Sequence, residues 1–191
     1  MNALMLASDI TRRPVVTLGG EAVAQVKDVV FDGHAGQVSG FTLSGRGLFS
    51  GPLRQALPWE AVTSLGPHAV MIRDETAFES RDEVADSAEA AHGNVLGARV
   101  LTDTGTDLGH VTDVVIEVTT AQALVAGYEI TPAKALSHHG RTAFIPLVRT
   151  IAVSGEALVV PAAVAEFMTG DLPSLEKAIP EFRSRMSGRE A

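Results

Sequence analysis

The chain has 191 residues, no cysteine, and 15 basic against 23 acidic residues, for a formal net charge of −8. That length suits one large domain or two small ones. The missing thiols exclude disulfides and thiolate metal sites, and the acidic balance sets a long-range field that repels nucleic acid and anionic membrane surfaces.

Residues 14–18 form a short predicted strand closed by the turn Gly19-Gly20, and residues 23–31, rich in β-branched side chains, form a second. A hairpin is expected at 32–36, a third strand at 38–43, a glycine-rich loop at 44–52 and a fourth strand at 55–58. Trp59-Glu60-Ala61-Val62 reads as a single helical turn, because Pro58 presets the dihedral of a helix start. Residues 69–72 complete the set as a fifth strand. The acidic, alanine-rich stretch 79–92 is read as a solvated helix or linker. Strands then recur at 98–101, 111–119, 125–130, 143–146 and 157–160.

That recurrence is a duplication. Val26-Lys27-Asp28-Val29-Val30-Phe31-Asp32 returns as Val111-Thr112-Asp113-Val114-Val115-Ile116-Glu117. Gly20 answers Gly105, Val38-Ser39-Gly40-Phe41 answers Val125-Ala126-Gly127-Tyr128, and Leu57-Pro58 answers Ile145-Pro146. The repeat divides the chain into a domain at 5–78, an acidic linker at 79–92, a second domain at 93–168 and a tail at 169–191. Short strands at this spacing, joined by Gly and Asx turns, indicate a mainly β fold of two tandem small antiparallel barrels. No apolar run approaches the roughly 18 to 20 residues of a bilayer span. The start Met1-Asn2-Ala3-Leu4-Met5-Leu6-Ala7 lacks a basic leader, so no export signal is expected and the chain reads as cytoplasmic.

The Val-Lys-Asp-Val-Val-Phe-Asp strand, the Val-Ser-Gly-Phe strand about ten residues later, and Leu-Pro-Trp-Glu-Ala-Val before a final Ala-Val-Met-Ile strand resemble the PRC-barrel domains, known from the photosynthetic reaction centre H subunit and a ribosome maturation factor. The resemblance covers both copies and about four-fifths of the chain. It implies two small PRC-type barrels acting as a non-catalytic assembly or docking module. The second copy departs from the pattern at Leu147-Val148-Arg149, where the first has Trp59-Glu60-Ala61; the two copies are therefore not expected to contact the same kind of partner.

No residue pattern points to a reaction. Asp28 and Asp113 could form a carboxylate pair only by converging from two barrels; their carboxylates read instead as acceptors of hydrogen bonds from a neighbouring loop, and the two residues are fold-determining, as are Gly40, Pro58, Gly127 and Pro146. His138-His139 are adjacent, which on a strand points them to opposite faces and makes a poor chelate, and His110 lies apart. Ser44-Gly45-Arg46-Gly47 lacks the setting of an activated serine. The stretch 45–51 lacks the Gly-Lys-Ser/Thr and long helix of a phosphate loop, so it reads as a hairpin tip on which Phe49 is a candidate partner contact. Trp59 reads as core or module-interface packing, with exposed anchoring of a partner as the second role. Arg12-Arg13, Arg46 and Arg54 are too scattered for a nucleic-acid footprint. No cofactor, metal or catalytic residue is expected.

In the tail, Leu172, Leu175, Ile179, Phe182 and Met186 recur at spacings of three, four, three and four, which is one helical face. Pro180 is expected to bend or break that helix, so that the two halves meet different surfaces, either the chain's own barrels or a second copy in a homodimer. The overall expectation is a non-enzymatic protein-interaction module with a protein partner and a homodimeric state. Its alternatives are a ribosome or ribonucleoprotein assembly factor and a small-ligand or metal-binding regulator.

Overall fold

The computed structural model describes residues 3–32, 36–46, 51–82, 84, 95–119, 121–139, 141–147, 152–153 and 156–188. The chain is mainly β with a long helix near its C-terminus, and it divides into two compact units. Unit 1 comprises 1–3, 7–91 and 118–124; unit 2 comprises 4–6, 92–117 and 125–191.

The first strand, β1 (Ala3–Leu6), belongs to unit 2 from Leu4 onward. After one helical turn at Ala7–Ile10, unit 1 is built from β2 (Pro14–Thr17), β3 (Ala22–Asp32), β4 (Gln37–Ser44), β5 (Pro52–Pro58), β6 (Val62–Leu65), β7 (Val70–Ile72) and β8 (Glu79–Ser80). A 3-10 turn, Trp59–Ala61, joins β5 to β6 and starts at Pro58. The curled sheet runs β5-β4-β3-β2-β7-β6, with β8 pairing β5. Unit 2 repeats the plan with β9 (Arg99–Thr102), β10 (Asp107–Val118), β11 (Ala123–Pro132), β12 (Ala143–Pro146), β13 (Ala152–Val153) and β14 (Ala157–Val160), in the order β12-β11-β10-β9-β14-β13.

The two units share their register residue by residue. In unit 1, Pro14 faces Gln25, Val15 faces Ala24 and Val16 faces Ala22 across a bulge. In unit 2, Arg99 faces His110, Val100 faces Gly109 and Leu101 faces Asp107 across the same bulge. Gly40 opposite Pro58 and Phe41 opposite Leu57 become Gly127 opposite Pro146 and Tyr128 opposite Ile145. The turns repeat as well. The Gly20 N–H donates to the Thr17 carbonyl and the Gly105 N–H to the Thr102 carbonyl, both at 2.9 Å. Both glycines sit at positive φ, 87° and 83°, which favours glycine there.

The expected antiparallel sheets are corrected to mixed ones. β2 pairs β7 in parallel, Val15 to Val70 through Thr17 to Ile72, and β9 pairs β14 in parallel, Arg99 to Ala157 through Thr102 to Val160. Parallel closure joins the first and last strands of a repeat, a pairing that no local turn encodes. Each core is the inward row of these strands. In unit 1, Val15, Phe41, Leu43, Leu57, Val70 and Ile72 are fully buried, and in unit 2 Val100, Leu108, Ile116, Ile130, Ile145 and Leu158 are.

The tail departs from expectation at Pro180. One helix, Leu172–Ser187, runs through that proline without a break. A proline inside a helix removes one backbone hydrogen bond and costs about 3 kcal/mol. Ile179 and Phe182, on either side of it, are buried to 4% and 1% exposure. Each such burial contributes about 1.5 to 3 kcal/mol, enough to offset the lost bond. The exposed ring of Pro180 lies on the opposite side. The helix starts at Asp171, whose carboxylate accepts the Ser174 N–H at 2.7 Å, and it carries Pro173 in its first turn.

Candidate interaction surfaces

The face of the C-terminal helix is covered within its own unit. Leu175 and Ile179 join Val115, Ala126 and Phe144 in one cluster, with Leu4, Leu6 and Leu172 packed against it. Phe182 lies against Phe167 with ring centroids 5.1 Å apart. Two ion pairs flank the contact, Arg183 to Glu117 at 2.9 Å and Arg185 to Glu166 at 2.7 Å, and the Arg185 guanidinium lies over the Phe167 ring. Leu175, Ile179 and Phe182 are therefore unavailable to a second copy, while Leu172 and Met186 are half-buried. The first half of the face thus meets the strand cluster and Phe182 meets Phe167, both within unit 2 and without the expected break at Pro180, so the tail supplies no argument for a homodimer.

The repeated aspartates take equivalent positions on β3 and β10 but meet different surroundings. Asp28 is exposed. Its carboxylate accepts a bond from the Thr42 hydroxyl at 3.0 Å and pairs with Lys27 at 3.4 Å. Its partner lies on the adjacent strand β4 rather than in a loop. Asp113 is buried to 7% exposure and accepts the Val114 N–H at 2.7 Å. The residue corresponding to Thr42 is Glu129, which accepts a bond from the Thr112 hydroxyl at 2.7 Å. The duplicated carboxylates thus serve two local networks.

Gly40 and Gly127 have a clear steric role. A Cβ at Gly40 would stand 2.3 Å from the Leu57 carbonyl oxygen, and one at Gly127 would stand 2.2 Å from that of Ile145. These glycines let β4 cross β5 and β11 cross β12, ahead of the buried Pro58 and Pro146. Gly109 is a cradle that sequence reading missed: at φ 135°, its Cβ would meet the Thr131 carbonyl oxygen at 2.0 Å. Its repeat partner is Ala24, so the duplication gave no signal for it.

Trp59 is half-buried, with its ring 6.2 Å from that of Phe41 and tilted by 57°. The corresponding Leu147 is also half-buried. Phe49 lies outside the described residues, as do most of the residues of the acidic linker; of the rest, β8 pairs β5 and Val84 is buried. The perturbed titrations belong to local structure. The Arg99 side chain, hydrogen-bonded and paired at 2.8 Å, holds the Asp107 carboxyl below its usual range. Bonds from Thr76 do the same for Asp74, and the helix-start bond from Ser174 for Asp171. Burial pulls the Arg13 guanidinium down, and its Nη1 donates to the Gly66 carbonyl at 2.6 Å. Among the described residues, no three His, Asp or Glu side chains converge as metal ligands, and no helix is long and apolar enough to cross a membrane.

No curated protein matches the chain. The family model of the PRC-barrel domain matches it twice, over residues 3–77 and 89–165. Those two stretches hold the bulged strand pairs, the Thr-to-Gly turns and the glycine-over-proline crossings that recur in the same register. The chain belongs to the PRC-barrel family, with two copies of the domain in tandem.

Proposed function

We propose that this chain is a non-enzymatic protein-interaction module in which two PRC-barrels form the scaffold. PRC-barrel domains are in general interaction and assembly modules. The observation that carries the reading is where the copies agree and where they differ. Shared residues such as Gly40 and Gly127, Pro58 and Pro146, and Thr17 and Thr102 build turns and strand crossings. The position after the shared proline carries a half-exposed Trp59 in one copy and Leu147 in the other. A rigid aromatic held on Phe41 and partly open to solvent is a favourable anchor for a partner surface. The absence of cysteine suits a reducing compartment, which supports placing the module in the cytoplasm.

The test is affinity capture from native lysate by the full chain and by Trp59→Ala, with cross-linked residues mapped by mass spectrometry. A defined protein that cross-links near Trp59 and is lost with the folded variant supports the reading. Turnover in a substrate panel that survives repurification overturns it.

A further inference from the structure

The two long strands that carry the repeated motif have differently covered edges. β3 pairs with β4 on one side and with β2 on the other, the latter only over Ala22–Gln25. Backbone bonds between Val26 and Arg12 and Arg13 end that contact. Among the described residues, nothing pairs with 27–32 on the β2 side. β10 pairs β9 over 107–110 and β11 on its other side, and it also pairs β1. β11 holds one edge of β10, and the contact with the β9 end stops at Val111, which leaves the stretch 112–118 of the other edge for the pairing with β1. Its Leu4 and Leu6 pack beside Val115.

We propose that the corresponding edge of β3, residues 27–32, is a strand-docking site. Its occupant is an extended, uncharged segment of about four residues with aliphatic side chains, supplied by a partner protein and added to β3 as β1 is added to β10. An uncovered strand edge presents a row of free amides and carbonyls that pair with any compatible extended chain. The carboxylates on β3 do not bar this, because Asp28 and Asp32 correspond to Asp113 and Glu117 on the strand that does carry β1. Val30, half-buried, stands where Val115 meets Leu4 and Leu6. The occupant is a different protein because each chain has one β1 and its own β10 holds it.

This inference rests on the reading of the chain as an interaction module, and its test is separate from capture. The full chain is titrated with a synthetic peptide of residues 2–8, Asn-Ala-Leu-Met-Leu-Ala-Ser, and amide resonances are followed by NMR. The expected result is one-to-one binding with shifts concentrated in residues 27–32. Binding weakens at least about tenfold for an N-methylated peptide, which keeps the side chains but loses edge donors, and for Val30→Lys in the protein. No shifts at millimolar peptide overturn the proposal. So do shifts confined to 112–118, which signal exchange with β1, or peptide-free self-association through β3. If lysate capture persists while the peptide fails, the docking site is wrong and the interaction module stands.

Discussion

Replacing Gly127 with alanine tests the crossing of β11 over β12 directly. The new Cβ would sit 2.2 Å from the Ile145 carbonyl oxygen, 3.2 Å from the Ile145 carbonyl carbon and 3.3 Å from the Pro146 Cα. Real Cβ contacts essentially never fall below 3.0 Å, so the strands must part by at least 0.8 Å. The atoms in the way are backbone, held by the pairs from Gly127 and Pro146 to Ile130 and Ala143, and the neighbouring Phe144 is packed under the C-terminal helix. Overpacking of this kind costs about 3 kcal/mol when no flexible side chain can yield. For a unit of this size, each kcal/mol lowers the thermal midpoint by about 4 to 8 °C. The expected outcome is a fall of roughly 12 to 24 °C in the unit 2 transition, followed by calorimetry, with Gly40→Ala affecting unit 1 in the same way. Gly105→Ala is the control: its positive φ costs about 1 kcal/mol, but a Cβ there meets nothing within 4 Å. A loss for Gly127→Ala no larger than the control's would refute the steric account of the crossing.

Three further outcomes follow from comparing the repeats and from the helix start. Arg12 has φ 68° where its counterpart Gly97 has φ 82°, and it is exposed, so Arg12→Gly should stabilise unit 1 by a few tenths to about 1 kcal/mol, measured by urea unfolding; a clear loss would mean that its side chain matters more than its backbone. Among the described residues, the buried Ser39 hydroxyl oxygen has no hydrogen-bond partner; unit 2 has Ala126 there, and Ser39→Ala should raise stability by about 1 kcal/mol in the same assay. Asp171 has a folded pKa below its ordinary value of 3.8. Its contribution is therefore present above pH 3.8 and lost as pH falls through the lower folded value. Because asparagine starts helices as well as aspartate, Asp171→Asn should keep neutral-pH stability and flatten the acid limb below pH 3.8, and an unchanged acid limb would exclude the carboxylate from the pH response.

Much of the fold was legible because it depends on local chemistry that the duplication states twice. The Thr17-to-Gly20 and Thr102-to-Gly105 turns need a positive φ, and β-branched runs on either side set strands. The paired glycines and prolines mark the crossings, and a helical turn starts after Pro58. What tertiary structure alone decided involves partners distant in sequence. β1 joins β10 more than a hundred residues away, and the parallel pairs β2 to β7 and β9 to β14 make the sheets mixed. The helix passes Pro180 because burial of Ile179 and Phe182 against their own unit outweighs one missing hydrogen bond. Asp28 and Asp113 carry the same motif, yet one is solvated and the other buried. Motif identity sets a residue's place on its strand, but its burial and partners depend on the segments packed over it, and those differ between the two copies.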